Sequence, residues 1–153
     1  MSILIAPMAA EHLPAIAALE QACFSQPWSE EALREELTNP LAHFVVALDG
    51  EAVVGYMGLH TPLDEGFVTN IATHPAHRRQ GIATALLRHQ LAFGQAAGLY
   101  RLALEVRVSN HSAIALYERE GFTLDGTRRG FYSHPTEDAA LYSFYFNKKD
   151  ESL

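Results

Sequence analysis

The stretch from Glu65 to Val108 constrains the fold more than any other part of the chain. "EGFVTNIATHP" reads as a strand ended by Pro75. "HRRQGIATALL" (His77–Leu87) then opens a helix that runs to about Ala97 and stops at Gly98. "YRLALEVRV" follows as a strand of β-branched and long apolar residues. A strand–loop–helix–strand unit calls for a right-handed crossover, and so for a layered α/β fold with a mixed sheet.

The flanking segments fit that frame. Ile3–Ile5 predicts a short first strand. Leu13, Ile16, Leu19 and Cys23 recur at spacings of three and four, which predicts a helix from about Ala10 to Cys23. "PWSEEALREEL" predicts a second helix, with Ser29 as N-cap, Glu30 and Glu31 in its first turn, and Leu33 and Leu37 on one face. Asn39-Pro40 stops it. "HFVVALDGEAVVGYMGLH" predicts a hairpin turning at Asp49-Gly50. "SNHSAIALYEREGF" predicts a short helix ending at Gly121. Phe122–Thr127 and Ala139–Phe146 complete an antiparallel pair. The expected order is β-α-α-β-β-β-α-β-α-β-β, with one domain over 1–147 and a frayed tail over 148–153.

The chain has 153 residues and a single cysteine, Cys23, which excludes a disulfide framework and points to a reducing cytoplasm. No apolar run approaches the ~20 residues of a membrane span. The N-terminus lacks the basic region of a signal peptide. The net charge of −7 argues against a nucleic-acid partner. Residues 1–70 hold ten Asp/Glu against Arg34 alone, whereas residues 71–153 hold eight against ten Lys/Arg. An acidic front half suits a cationic partner and a more basic back half an anionic one, although solvated surface charge gives the same count.

The loop before the third helix has a chemistry of its own. A helix start offers free N–H groups and about half a unit of positive charge. Gly81 lets a ligand approach the backbone closely, and Arg78 and Arg79 add donors and charge. Phosphate or pyrophosphate suits such a place. Taken alone, the arginine pair also fits ordinary surface charge, and the loop is neither a Walker loop nor G-x-G-x-x-G.

The surroundings of this loop resemble a known family. "NIATHPAHRRQGIATALL" is similar to the acetyl-CoA-binding motif of the GNAT acetyltransferases, with its Arg/Gln-x-x-Gly-x-Gly/Ala core at Arg78–Ala83. "LEVRVSNHSAIALYEREGF" and "PWSEE" resemble segments of the ribosomal-protein-alanine N-acetyltransferases within that family. The resemblance spans roughly residues 3–147. It implies a single-domain GNAT fold, with a mostly antiparallel mixed sheet and helices on both faces. It implies that Ile71, Ala72 and Thr73 bind the pantetheine arm of acetyl-CoA through their backbone. It assigns Arg78, Arg79, Gln80, Gly81, Ile82, Ala83 and Thr84 to the pyrophosphate, and Asn110 to the cofactor. Glu105 becomes the general base and Tyr117 the general acid. Asn110 serves equally well as a helix N-cap, Tyr117 as a half-buried helix aromatic, and Glu105 as an outward carboxylate paired with Arg107.

The implied substrate is the N-terminal alanine of a small-subunit ribosomal protein, with no nucleic acid, membrane or metal involved, and the enzyme a cytoplasmic monomer. An α-amine, with a reference pKa near 8, is already about a tenth neutral at pH 7, whereas a lysine near 10.4 costs about 4–5 kcal/mol to deprotonate. A carboxylate acting through water therefore suits the α-amine, and partial burial of Glu105 in a cleft would make it a better base. Candidate acceptor contacts are Trp28, Glu31, Glu35, Asp64, Glu65 and Tyr132. Cys23 lies on an apolar helix face and reads as core rather than as a nucleophile. His74 and His77 flank a proline-bearing loop without the partners of a metal site. "LYSFYF" reads as a core strand first and an acceptor pocket second. Thr73-His74 and "RRGFYSHPTED" are not fixed by the family motif, which leaves the acceptor open. The rival readings are a GNAT acting on a small amine, a non-catalytic acetyl-CoA-binding module, and an interaction protein without cofactor.

Overall fold

A computed structural model describes residues 2–146. The strands are β1 (Ile3–Pro7), β2 (Ala42–Asp49), β3 (Ala52–His60), β4 (Glu65–Thr73), β5 (Arg101–Arg107), β6 (Thr123–Tyr132) and β7 (Glu137–Tyr145). The helices are α1 (Leu13–Cys23), α2 (Glu30–Glu36), α3 (Ile82–Ala97) and α4 (His111–Arg119). The strands form one sheet in the order β1-β2-β3-β4-β5-β7-β6. Pairing is antiparallel for β1/β2, β2/β3, β5/β7 and β6/β7. It is parallel where Glu65–Phe67 meet Arg101–Ala103. The described residues fall into two compact units: residues up to Thr61 with Thr69–Gln90, and Pro62–Val68 with residues from Leu91.

In the first unit, alternation along β3 shows what covers the sheet. Tyr56 is fully buried in a cluster with Leu13, Ile16 and Leu19 of α1 and Leu33 of α2. Its neighbour Gly55 points the other way, where an added Cβ would lie 3.0 Å from Ile82 and 3.3 Å from Leu86 of α3. Helices therefore cover both faces. In the second unit, Tyr142, Phe144 and Phe146 share one face of β7. The Tyr142 hydroxyl donates to Glu118 of α4 at 2.8 Å, and the Phe144 ring lies 5.8 Å from Phe122. On the opposite face, Ser143 donates to Asp125 at 2.5 Å and accepts from Arg101 at 3.2 Å.

The element order matches the order expected from the sequence, and the differences are local. A 3-10 turn, Ala10–His12, precedes α1, because Pro14 brings no N–H to the first turn. Helix α2 ends at Glu36, so Leu33 is fully buried while Leu37, its C-cap, is 37% exposed and does not share the buried face. The hairpin loop is Gly50-Glu51, with Gly50 at φ 62°. Strand β6 runs five residues past the expected Thr127 to Tyr132, its register shifting between Arg128 and Tyr132. Gly130, at φ 63°, donates its N–H to Asp138 there at 2.8 Å. Residues 148–153, expected as a tail, lie outside the described residues.

Candidate active site

The loop between β4 and α3 has the backbone that anion binding needs. The N–H of His74 donates to Val54 O at 2.8 Å, and Pro75–His77 form a 3-10 turn. Arg79 then adopts φ 65° and Gly81 φ 80°. A left-handed conformation costs an arginine ~1–2 kcal/mol. Positive-φ residues alternating with ordinary ones turn successive N–H groups towards one concavity. The first helical bond here runs from Ala85 N to Gly81 O at 3.0 Å, so the N–H groups of Ile82, Ala83 and Thr84 precede the ladder. Ile82 is buried and anchors the helix start, whereas Arg78, Arg79, Gln80 and Gly81 are exposed. A Cβ placed on Gly81 would meet nothing within 4 Å. The residues present therefore fit a phosphate group. Ala72 is buried, while Ile71 and Thr73 are half-buried.

Glu105 and Tyr117 belong to the second compact unit. Glu105 is exposed on β5, opposite Leu141 of β7. Of the two placements the sequence left open, the outward one is found. It does not hold Arg107, whose guanidinium is engaged by Glu137 at 3.2 Å, Pro135 O at 2.9 Å and Ser133 O at 3.1 Å. Tyr117 is only 5% exposed, its ring 5.7 Å from Phe122. Burial, and then the charge of a Tyr132 phenolate, hold its pKa well above the ordinary 10. Tyr132 is pushed up to about 12 by burial and by the Glu105 and Glu137 carboxylates, against the lowering effect of Arg107. Glu105, Arg107, Tyr117 and Tyr132 are thus linked electrostatically. Asn110 caps α4, accepting from Ala113 N at 3.3 Å and from the Ser112 hydroxyl at 3.4 Å.

The other candidates separate. Glu65 is half-buried and forms an ion pair with Arg101. Asp64 is exposed, and its carbonyl accepts from Tyr100 N at 2.6 Å. Glu31 and Glu35 are exposed on α2, and the half-buried Trp28 packs 6.2 Å from Phe44. Cys23 is half-buried, with its thiol 3.5 Å from Thr73 O and 3.6 Å from the Arg78 guanidinium. No group of His, Cys, Asp and Glu among the described residues could hold a metal ion.

Two polar groups escaped the sequence reading. Glu20 is fully buried and accepts from the Tyr56 hydroxyl at 2.5 Å, Trp28 N at 2.9 Å and Asn70 Nδ2 at 2.9 Å. Its position four residues after Ile16, on the apolar stripe, is the signal that could have found it. The Arg107–Glu137 pair joins residues thirty apart in sequence, and no local pattern announces it.

Comparison with known proteins turns this geometry into an assignment. The acetyltransferase (GNAT) family matches residues 13–122. The [ribosomal protein bS18]-alanine N-acetyltransferase of Escherichia coli K12 is 37% identical over 126 residues, covering 82% of this chain and 83% of that protein. This chain belongs to the GNAT acetyltransferase family. The N-alpha-acetyltransferase RimI of Mycobacterium tuberculosis is 39% identical over 117 residues, 74% of this chain and 72% of that protein. The crystal structure of the E. coli ribosomal-protein-S18-alanine N-acetyltransferase superimposes with a TM-score of 0.89 at 31% identity, covering 99% of both chains.

As a GNAT enzyme, the chain is an acetyl-CoA-dependent N-acetyltransferase. The family's mostly antiparallel sheet is the seven-stranded one described above. No helix among the described residues is long and apolar enough to cross a membrane.

Proposed function

We propose that this GNAT enzyme acetylates the N-terminal alanine of ribosomal protein bS18, in the cytoplasm, as a single domain over 1–147. The observation that carries the reading is the 37% identity, over 82% of the chain, with the E. coli enzyme named for that reaction. The exposed carboxylates Glu31, Glu35 and Asp64 favour a basic protein terminus over a small neutral amine.

Acetyl-CoA supplies an acetyl group already activated as a thioester. In this proposal the backbone of Ile71, Ala72 and Thr73 aligns the pantetheine arm. Arg78, Arg79 and Gln80, with the N–H groups of Gly81–Thr84, hold the pyrophosphate, and Asn110 orients the cofactor beside β5. Glu105, open to solvent, takes the amine proton through a water molecule. The new N–C bond forms as the C–S bond breaks. Tyr117, protonated across the physiological range as an ordinary phenol is, donates its proton to the departing sulfur; burial makes the phenol a weaker acid, so the step requires the departing thiolate to be desolvated, and hence more basic, as well. The amine attacks the thioester directly, so an acetyl-enzyme is unnecessary.

The broader name of the M. tuberculosis relative favours a second reading, acetylation of other protein N-termini. The test is thiol release from acetyl-CoA with the bS18 N-terminal peptide, the same peptide blocked at its amine, and peptides with other first residues. Release with the free alanine peptide alone is expected. Comparable release from all free peptides would favour the broader reading, and release from small amines alone would exclude both.

A further inference from the structure

Arg107 lies two residues after Glu105 on β5, and its side chain reaches away from the strand to the β6–β7 turn. One guanidinium nitrogen donates to Pro135 O at 2.9 Å and to Glu137 Oε1 at 3.2 Å, and another donates to Ser133 O at 3.1 Å. Its carbon sits 4.5 Å from the centroid of the Tyr132 ring. Glu137 spends its second oxygen on Ser109 N at 2.8 Å, on the loop that leads into α4. A single cation therefore ties together the end of β5, the turn over 133–137 and the Tyr132 ring, and through Glu137 the approach to Tyr117. Only a planar fork serves two carbonyls and a carboxylate at once while stacking on an aromatic face; an ammonium does not.

We propose that Arg107 is a positioning residue for the acetyl transfer: it holds the Tyr132 ring and pins the 133–137 turn to the strand that carries Glu105 two residues away. Arg107 does not touch the reacting atoms. It acts by limiting where the Tyr132 hydroxyl and the Ser133–Glu137 backbone sit relative to the base. This rests on the role proposed for Glu105, and the experiment separates the two. The Arg78–Thr84 loop proposed to hold the pyrophosphate belongs to the other compact unit, and Asn110 keeps its own hydrogen bond from Ala113 N, so a large loss in kcat against a small change in cofactor affinity marks a positioning role.

The test compares wild type with R107Q, R107K and R107A. Turnover is measured with the alanine peptide, acetyl-CoA affinity by calorimetry, and amide hydrogen exchange across residues 109 and 130–138. R107Q is expected to lose about tenfold or more in kcat, since small misplacements of catalytic groups carry penalties up to ~10²-fold. Its acetyl-CoA affinity stays within about twofold of wild type, on the scale where ~1.4 kcal/mol is tenfold. Exchange at Ser109 and the turn speeds up. R107K, which keeps the charge but not the fork, stays close to R107Q. Added guanidinium at non-denaturing concentration partly restores R107A and leaves wild type unchanged, which a general folding defect would not show. An R107Q or R107K protein with wild-type kcat overturns the assignment, as does unchanged exchange at the turn. A wild type that turns over no α-amine peptide sinks the functional reading instead, and the exchange data still decide whether Arg107 is the clamp.

Discussion

Glu105 is exposed and Tyr117 nearly buried, and the two roles proposed for them use that difference. A base that passes an ammonium proton to solvent must remain wetted, and Glu105 is exposed. Tyr117, 5% exposed, has its pKa raised mainly by burial, so it stays protonated and gives up its proton only to a thiolate made more basic by the same dry surroundings. Glu105→Gln should therefore lower thiol release by about 10²-fold, the lower end of what general acid–base groups contribute. Its acetyl-CoA binding, followed by calorimetry, should not change. Tyr117→Phe should cause a loss of similar order in kcat and leave the fold intact, because the ring still fills its place against Phe122. Loss of cofactor binding in step with loss of turnover would remove the base role from Glu105, and full activity in Tyr117→Phe would remove the acid role from that hydroxyl.

Strand β3 shows an element whose sequence is decided by its neighbours. Replacing a strand glycine by alanine ordinarily relieves an entropic penalty of ~0.5–1 kcal/mol. At Gly58 an added Cβ would fall 2.5 Å from two atoms of the Phe44 ring and from the Thr69 hydroxyl. That ring is hemmed in by Trp28, Tyr56 and His60, with centroids 6.2, 6.4 and 6.1 Å away, so it has no easy retreat. Overpacking of this kind costs ~1–3 kcal/mol, which exceeds the entropic gain. Gly58→Ala should consequently lower the urea midpoint, and a stabilised variant would show that the ring yields. The same contrast between local and distant causes explains what could be read in advance. Helix α2 was legible because its signals are local: Ser29 accepts from Ala32 N at 3.0 Å, as its place before two glutamates implies. The hairpin at Gly50 and the helix stop at Gly98, φ 75°, were legible for the same reason. The extension of β6 was not, because its pairing is set by β7 and by the Asp138 carboxylate that receives Gly130 N. At the site, the residue types along Arg78–Thr84 and at Glu105 and Tyr117 stand out in the sequence. Their surroundings do not: Glu105 could have faced a cleft or solvent and is exposed, Glu65 pairs with Arg101, and Arg107 is engaged by a turn 26 to 30 residues away.

For the chain as a whole, tyrosines set a limit at alkaline pH. Of its six tyrosines, Tyr56 is fully buried against the Glu20 carboxylate, and both burial and that charge raise its pKa. Tyr117 is raised by burial, and Tyr142 and Tyr145 by the hydrogen bonds they donate to Glu118 and Asp125. Tyr132 is raised to about 12. In the unfolded chain all of them titrate near 10. Below that value both states hold these protons, and the tyrosines give stability no slope with pH. Above it the unfolded chain releases protons that the folded protein keeps, so stability falls as pH rises from about 10 through the folded values. Each buried phenol contributes a slope of up to ~1.4 kcal/mol per pH unit, less for the partly exposed ones. A protein with a net charge of −7 at neutral pH also gains further self-repulsion as phenolates form. The urea midpoint should hold level from pH 8 to about 9.5 and drop steeply above pH 10, with phenolate absorbance rising mainly as the protein unfolds. Absorbance that instead completes its rise near pH 10 while the protein stays folded would show that these hydroxyls are open to solvent.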